Sequence, residues 1–180
     1  TGQLHIEVVV SRLKKKFGVE VELHPPKVPY RETISSLHKA HGRHKKQTGG
    51  HGQFGGASVR IEPLEGGAGF EFVNDIVGGV IPREFIKPVK EGIQDAMTTG
   101  VLAGYPIDDV CVSLYHGSYH EVDSSEMAFK VAGAMAFREA ARRADAVLLE
   151  PIMRVEVVVP EAYMGDIVGD LNMRRGKIRS

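Results

Sequence analysis

Tryptophan is absent from this 180-residue chain, cysteine occurs once, and there is no apolar run of the roughly 18 residues that a membrane-spanning helix needs. With only seven phenylalanines and five tyrosines, the core must be built mainly from Val, Ile, Leu, Met and Ala. The lone Cys111 excludes an internal disulfide and fits a reducing compartment. The opening Thr1-Gly2-Gln3-Leu4-His5 has no initiator Met and no signal-peptide pattern. It lies inside a helix-like pattern, and Lys177-Ile178-Arg179-Ser180 reads as a strand just begun, so both ends are expected to be cuts through a longer protein. The most informative absence is local: no acidic residue lies between Glu32 and Glu62. That interval holds Lys39, Arg43, Lys45, Lys46 and Arg60, with four of the eight histidines (His38, His41, His44 and His51). Lys plus Arg and Asp plus Glu balance at 23 each, so this is a positive patch on a neutral body.

An apolar fraction of 42% with 26% charged residues fits a folded chain with one sizeable core or two small ones. The 21 glycines cluster between periodic segments, which indicates tight turns and not low complexity. Leu4, Ile6, Val8, Val9, Leu13 and Phe17 predict a short amphipathic helix ended by Gly18, and 19–23 alternates as a strand. Pro25, Pro26 and Pro29 punctuate a domain boundary. Beyond them the pattern predicts a strand over 28–34, a basic glycine-rich loop over 38–56, and strands over 57–63 and 70–76. A helix over 83–98, a strand over 109–115, a loop over 116–123 and a helix over 124–143 complete the segment. Pro88 is expected to bend the first helix, Asp123 to cap the second with Glu126 as reciprocal partner, and Gly133 to admit a close neighbour. Long helices over several strands predict an α+β fold, a two-layer sandwich. A strand over 153–159 and a helix over 161–173 then form half of something larger, too small to bury its own core.

The glycine-rich stretch from Thr48 to Gly56 has neither the Gly-Lys-Ser/Thr ending of a phosphate loop nor the strand-to-helix context of a dinucleotide fingerprint. It joins two strands, so its glycines are expected to admit the backbone close to a large partner, polyanionic to judge from the nearby cations. The competing reading is a flexible hairpin with solvent-facing charges. His38, His41 and His44 have no nearby Cys, Asp or Glu, so no metal site is expected. His116, Tyr119, His120, Glu121, Asp123, Ser124 and Ser125 supply every residue type a catalytic triad needs, but Ser and Asp at a helix start have a simpler explanation. Tyr119 and His120 suit a polar loop that stacks on or hydrogen-bonds to bases. Cys111 reads as a core residue, and Arg138, Arg142 and Arg143 as a solvated helical stripe.

The stretch Gly69-Phe70-Glu71-Phe72-Val73-Asn74-Asp75-Ile76-Val77-Gly78-Gly79-Val80-Ile81-Pro82 closely resembles the elongation factor G family of ribosomal translocases. Leu102-Ala103-Gly104-Tyr105-Pro106, Gly117-Ser118-Tyr119-His120 and Asp123-Ser124-Ser125-Glu126-Met127-Ala128-Phe129 carry the same resemblance in the same order. So does the run from Tyr163 to Asn172. The resemblance implies the end of domain III at 1–25, all of domain IV at 26–148 and the start of domain V at 149–180. Domain IV would be a two-layer unit resembling ribosomal protein S5 domain 2, flanked by parts of ferredoxin-like domains. It further implies partners: the small-subunit decoding region, tRNA and mRNA, and large-subunit RNA through domain V. The expected factor is a monomer without membrane contact, cytoplasmic and of bacterial type or an organellar counterpart.

On this resemblance the contacting tip loops are Thr48, Gly49, Gly50, His51, Gly52, Gln53 and Phe54, together with Tyr119, His120, Glu121, Asp123 and Ser124. The basic patch is Lys39, Arg43, Lys45 and Lys46. The loop at 102–106 ranks behind these. No catalytic residue, metal or cofactor is expected within the chain; GTP and Mg would belong to a GTP-binding domain that cannot be placed on it. His51 stands where the family usually carries Arg, and Phe54 where it carries Tyr. These departures leave open a divergent paralogue acting in ribosome recycling or in protection against tetracycline. An enzyme on the same S5-like fold, such as a small-molecule kinase, would need a phosphate loop running into a helix.

Overall fold

A computed structural model describes residues 2–47, 50 and 52–179. Its elements in order are α1 (Gln3–Phe17), β1 (Arg31–Ile34), β2 (His38–Lys46), β3 (Gln53–Pro63), β4 (Phe70–Asn74) and α2 (Ile86–Met97). They continue with β5 (Val110–Ser118), α3 (Glu126–Arg143), β6 (Ala146–Leu149) and α4 (Met164–Met173). Short 3-10 turns at Arg83–Phe85 and Glu161–Tyr163 lead into α2 and α4. The main sheet has the order β2-β3-β5-β4, with β4 parallel to β5 and the other pairs antiparallel. A second ribbon pairs β1 with β6, Arg31 opposite Leu149.

The core follows from two periodicities. Strand alternation turns Val59 and Ile61 of β3, and Val110, Val112 and Leu114 of β5, to one face, where all five are buried. Helix periodicity turns Ala128, Ala132, Ala136 and Ala140 of α3, with Phe129 and Phe137, onto that face. Phe129 stacks on Phe85 with ring centroids 4.6 Å apart. Full burial of each such side chain contributes about 2–3 kcal/mol. A Cβ on Gly133 would lie 2.6 Å from the Val89 carbonyl oxygen, and one on Gly92 only 1.9 Å from that of Lys130. α2 and α3 therefore cross backbone to backbone, as the expectation for Gly133 required. Pro88 sits buried in the first turn of α2, where a missing N–H costs least.

The segment 38–56 is mostly strand and not the expected loop. β2 reads His-Lys-Ala-His-Gly-Arg-His-Lys-Lys, whose inward positions are filled by Ala40 and Gly42 and not by large apolar residues, so its alternation is easily missed. Gly42 is small because α3 leaves no room: a Cβ there would lie 2.2 Å from the Ala132 carbonyl oxygen. Gly55 and Gly56 likewise lie buried inside β3, and a Cβ on Gly55 would meet the Ala128 backbone at 2.9 Å. These glycines serve internal packing. The 19–23 and 153–159 segments are not strands: among the described residues no strand pairs with them. The helix cap also differs from expectation: Ser125 Oγ accepts from Ala128 N at 3.2 Å, so Ser125, not Asp123, starts α3. α1 and α4 bury no side chain.

Candidate nucleic-acid interface

β2 and β3 lead into the connection at 47–52, and β5 leads into the loop at 119–125, at the same end of the sheet. Three hydrogen bonds, one of them backbone to backbone, join the two. Phe54 N donates to the Asp123 carbonyl oxygen at 2.7 Å, Ser124 Oγ donates to the Phe54 carbonyl at 2.9 Å, and Gly52 N donates to Asp123 Oδ1 at 3.0 Å. Asp123 is thus a cross-loop strut. Gly52 is the residue that fits beside it, since a Cβ would lie 2.9 Å from Asp123 Oδ2.

The second loop is folded around His120. Its backbone N donates to Ser124 Oγ at 2.9 Å, and Ser124 N donates back to the His120 carbonyl at 3.0 Å. The ring Nδ1 accepts from Val122 N and Asp123 N, both at 3.3 Å. A ring that accepts at Nδ1 keeps Nε2 as its N–H donor, and the side chain is exposed. His120 meets Phe54 edge to face with centroids 6.5 Å apart, and the Arg43 guanidinium lies 5.6 Å from the Phe54 ring centre. Arg43, Lys45, Lys46, Gln53, Phe54 and His120 line a cavity of about 270 Å³ between the loops. Tyr119 and Glu121 are exposed beside it.

Of the expected tip residues, Gly52, Gln53, Phe54, His120, Asp123 and Ser124 are brought together directly. Gly50 is exposed in the connection; Thr48, Gly49 and His51 lie outside the described residues. Lys39 stands on the same strand as Arg43 and Lys45 but towards the opposite end. The histidines of β2 do not converge. His41 Nδ1 lies 2.8 Å from Ser58 Oγ, while His44 Nε2 lies 2.9 Å from Gln53 Oε1, on the other side of the strand. Among the described residues no group of three His, Cys, Asp or Glu side chains is placed to hold a metal ion. No helix among them is long and apolar enough to cross a membrane.

The loop at 102–106 lies at the far end of the sheet from this tip, because α2 returns there before β5 begins. Sequence reasoning missed the residue that holds it. Glu32 is fully buried, and its carboxylate accepts from Val101 N (2.7 Å) and Leu102 N (2.9 Å) at Oε2. Ala103 N (2.7 Å) and Tyr105 N (3.0 Å) bond to Oε1. Burial raises its pKa, but the four backbone donors outweigh that and hold it below the ordinary carboxylate value. Asp109 is held low first by the Gly69 and Gly67 amides, which bond its Oδ1 at 2.9 and 3.0 Å. The Cys111 thiol is buried on β5, and burial pushes its pKa up.

Residues 26–145 match a family model described as elongation factor G, domain IV. Residues 147–180 match one described as elongation factor G C-terminus. The chain is also similar to a crystal structure of a protein from Thermus thermophilus, with 46% sequence identity and a TM-score of 0.89. That similarity covers 99% of this chain and 26% of the other, so the chain spans about a quarter of that relative's length.

Proposed function

The chain belongs to the elongation factor G family, and from that premise we propose that it is the arm with which a translation factor reaches the decoding region of the small ribosomal subunit. There it follows tRNA and mRNA from the A to the P site during GTP-dependent translocation. Residues 26–148 form the arm proper, a domain IV of the S5 domain 2 type. Residues 1–25 and 149–180 are parts of ferredoxin-like domains III and V, the latter directed at large-subunit RNA. The observation that carries the reading is the joined tip: two loops bonded through Asp123 and Ser124, with an exposed His120 that lines one cavity with Arg43, Lys45 and Lys46. Cations with aromatic rings between them suit phosphates and unstacked bases. A mechanical element of this kind needs a stiff body and adaptable ends, and the backbone-to-backbone crossing of α2 and α3 supports that stiffness.

GTP and Mg do not fit this chain. The glycine run continues into strand β3 and not into a helix, so no step is derived through a nucleotide here. The test is single-turnover mRNA movement on pre-translocation ribosomes by a full-length factor containing this chain. Rapid movement that His120→Ala slows about tenfold or more is expected, equivalent to one lost charge-assisted hydrogen bond. Unchanged movement refutes the role of His120. Ribosome binding without movement refutes translocation and favours the recycling or tetracycline-protection reading.

A further inference from the structure

α2 and α3 both lie on one face of the main sheet, and among the described residues no helix or strand packs on the other. Strand alternation places Lys39, His41, Arg43 and Lys45 in one row on that uncovered face, recurring about every 7 Å. The next strand contributes Arg60, whose Nη2 donates to Ser113 Oγ at 3.4 Å and whose Nε is buried with no partner. The strand after that carries a bulge: Ser58 pairs with His116 and Val59 with Leu114, leaving Tyr115 unpaired between them. The extra residue puts two consecutive side chains, Tyr115 and His116, on the uncovered face, both exposed. Lys39 reaches across β3 to Tyr115, its Nζ 5.5 Å from the ring centre. Acidic groups stand at the two ends of the row: Asp123 lines the tip cavity with Arg43 and Lys45, and at the far corner Glu62 lies 3.7 Å from Arg60 and Glu71 pairs with Cys111.

We propose that this uncovered sheet face is a second RNA-binding surface, on which a single RNA strand lies along β2 from the tip towards Lys39, with a base stacked on Tyr115. The row of cations matches a polyanion, and the acidic corner sets where the track ends. The rings favour nucleic acid over an acidic protein surface, because Tyr115, His116 and His41 offer stacking that a chain of carboxylates does not use. The inference rests on the reading of this chain as an RNA-contacting arm, but it assigns contact to residues that the tip does not include.

The experiment measures binding of the full chain to a labelled 12-nucleotide single-stranded RNA across a salt series, with polyglutamate of similar charge as the competing probe. Each phosphate contact contributes about 0.7 to the slope of log affinity against log salt. Lys39→Gln is expected to lower that slope by about this amount. Tyr115→Ala is expected to weaken binding about five- to tenfold with the slope unchanged. Both residues are exposed, and circular dichroism verifies that the variants fold. If Lys46→Gln and His120→Ala weaken binding while Lys39→Gln and Tyr115→Ala do not, the sheet face is not a binding surface and the tip reading stands. If none of the four alters RNA binding, or the unsubstituted chain does not bind RNA at low salt, both readings fall. Polyglutamate bound as tightly as RNA, with the same dependence on Tyr115, would overturn the assignment to RNA in favour of an acidic protein surface.

Discussion

Glu32→Gln removes one charge and almost no volume, yet it should be among the most damaging substitutions in the chain. The carboxylate takes four backbone N–H groups, two on each oxygen, from a loop 69 to 73 residues away. A glutamine keeps one oxygen and turns an NH₂ group towards the other two donors. Each buried donor that loses its acceptor costs about 1–3 kcal/mol, and bonds to a charged acceptor are the stronger kind. Leu102 and Ala103 are exposed, so part of the loop can turn to water, which tempers the sum to about 3–4 kcal/mol. Against a total of about 5–15 kcal/mol for a domain, that should lower Tm by roughly 12 °C. Unfolding at pH 7 measures it, and faster amide exchange at Val101 and Ala103 localises it. The pH dependence gives an independent sign. Because the folded pKa of Glu32 is lowered, its contribution is complete above the unfolded value of about 4.3. It is lost as pH falls through the folded value. Asp109 acts in the same direction, so the quantity to compare is the difference between the two proteins' acid limbs. Loss of stability on acidification should be shallower in Glu32→Gln. A variant that melts within about 2 °C of the original and shares its acid limb would refute the clamp.

Two further substitutions test the body of the fold. Gly42→Ala drives a methyl group to within 2.2 Å of the Ala132 carbonyl oxygen, and moving α3 off the sheet should cost about 2–4 kcal/mol, read from urea unfolding. Ser125→Ala removes the hydroxyl that accepts from Ala128 N and should cost about 1 kcal/mol, with a Tm drop of a few degrees.

What could be read from the sequence was whatever large apolar residues spell out. The recurrence of Val89, Ile93, Ala96 and Met97 marks α2, and the Val-Cys-Val run marks β5 with Cys111 inside it. β2 was illegible because its inward positions are Ala and Gly, small by the demand of α3 and silent in any hydrophobic pattern. β1 falls inside the strand expected over 28–34, whereas β6 is too short, at four residues, for a period to register, and it finds β1 only through the fold. Glu32 had no signal at all, since all four of its partners are backbone amides, which every residue type except proline supplies. At the candidate site the residue types were legible but their jobs were not. Asp123 stood where a cap was expected, and only the approach of Gly52 gives its carboxylate a different partner.

That exchange of roles bears on how the tip works. Had Asp123 capped α3, the 119–125 loop would answer to the helix, and the 47–52 connection would be free of it. Instead Ser125 closes the helix alone, and Asp123 and Ser124 are spent on Phe54 and Gly52. The placement of His120 is therefore set by both loops: its Nδ1 is pinned by amides of its own loop, and its ring meets Phe54 of the other edge to face. A ligand that displaces one loop must also move the other. Two loops coupled in this way respond to a partner as one element, so energetic effects of substitutions across the junction should not be additive. On the proposed reading of this chain as an arm, a stiff sheet can pass displacement along it only if its end is coherent in this sense, and the three bonds across the junction supply that coherence.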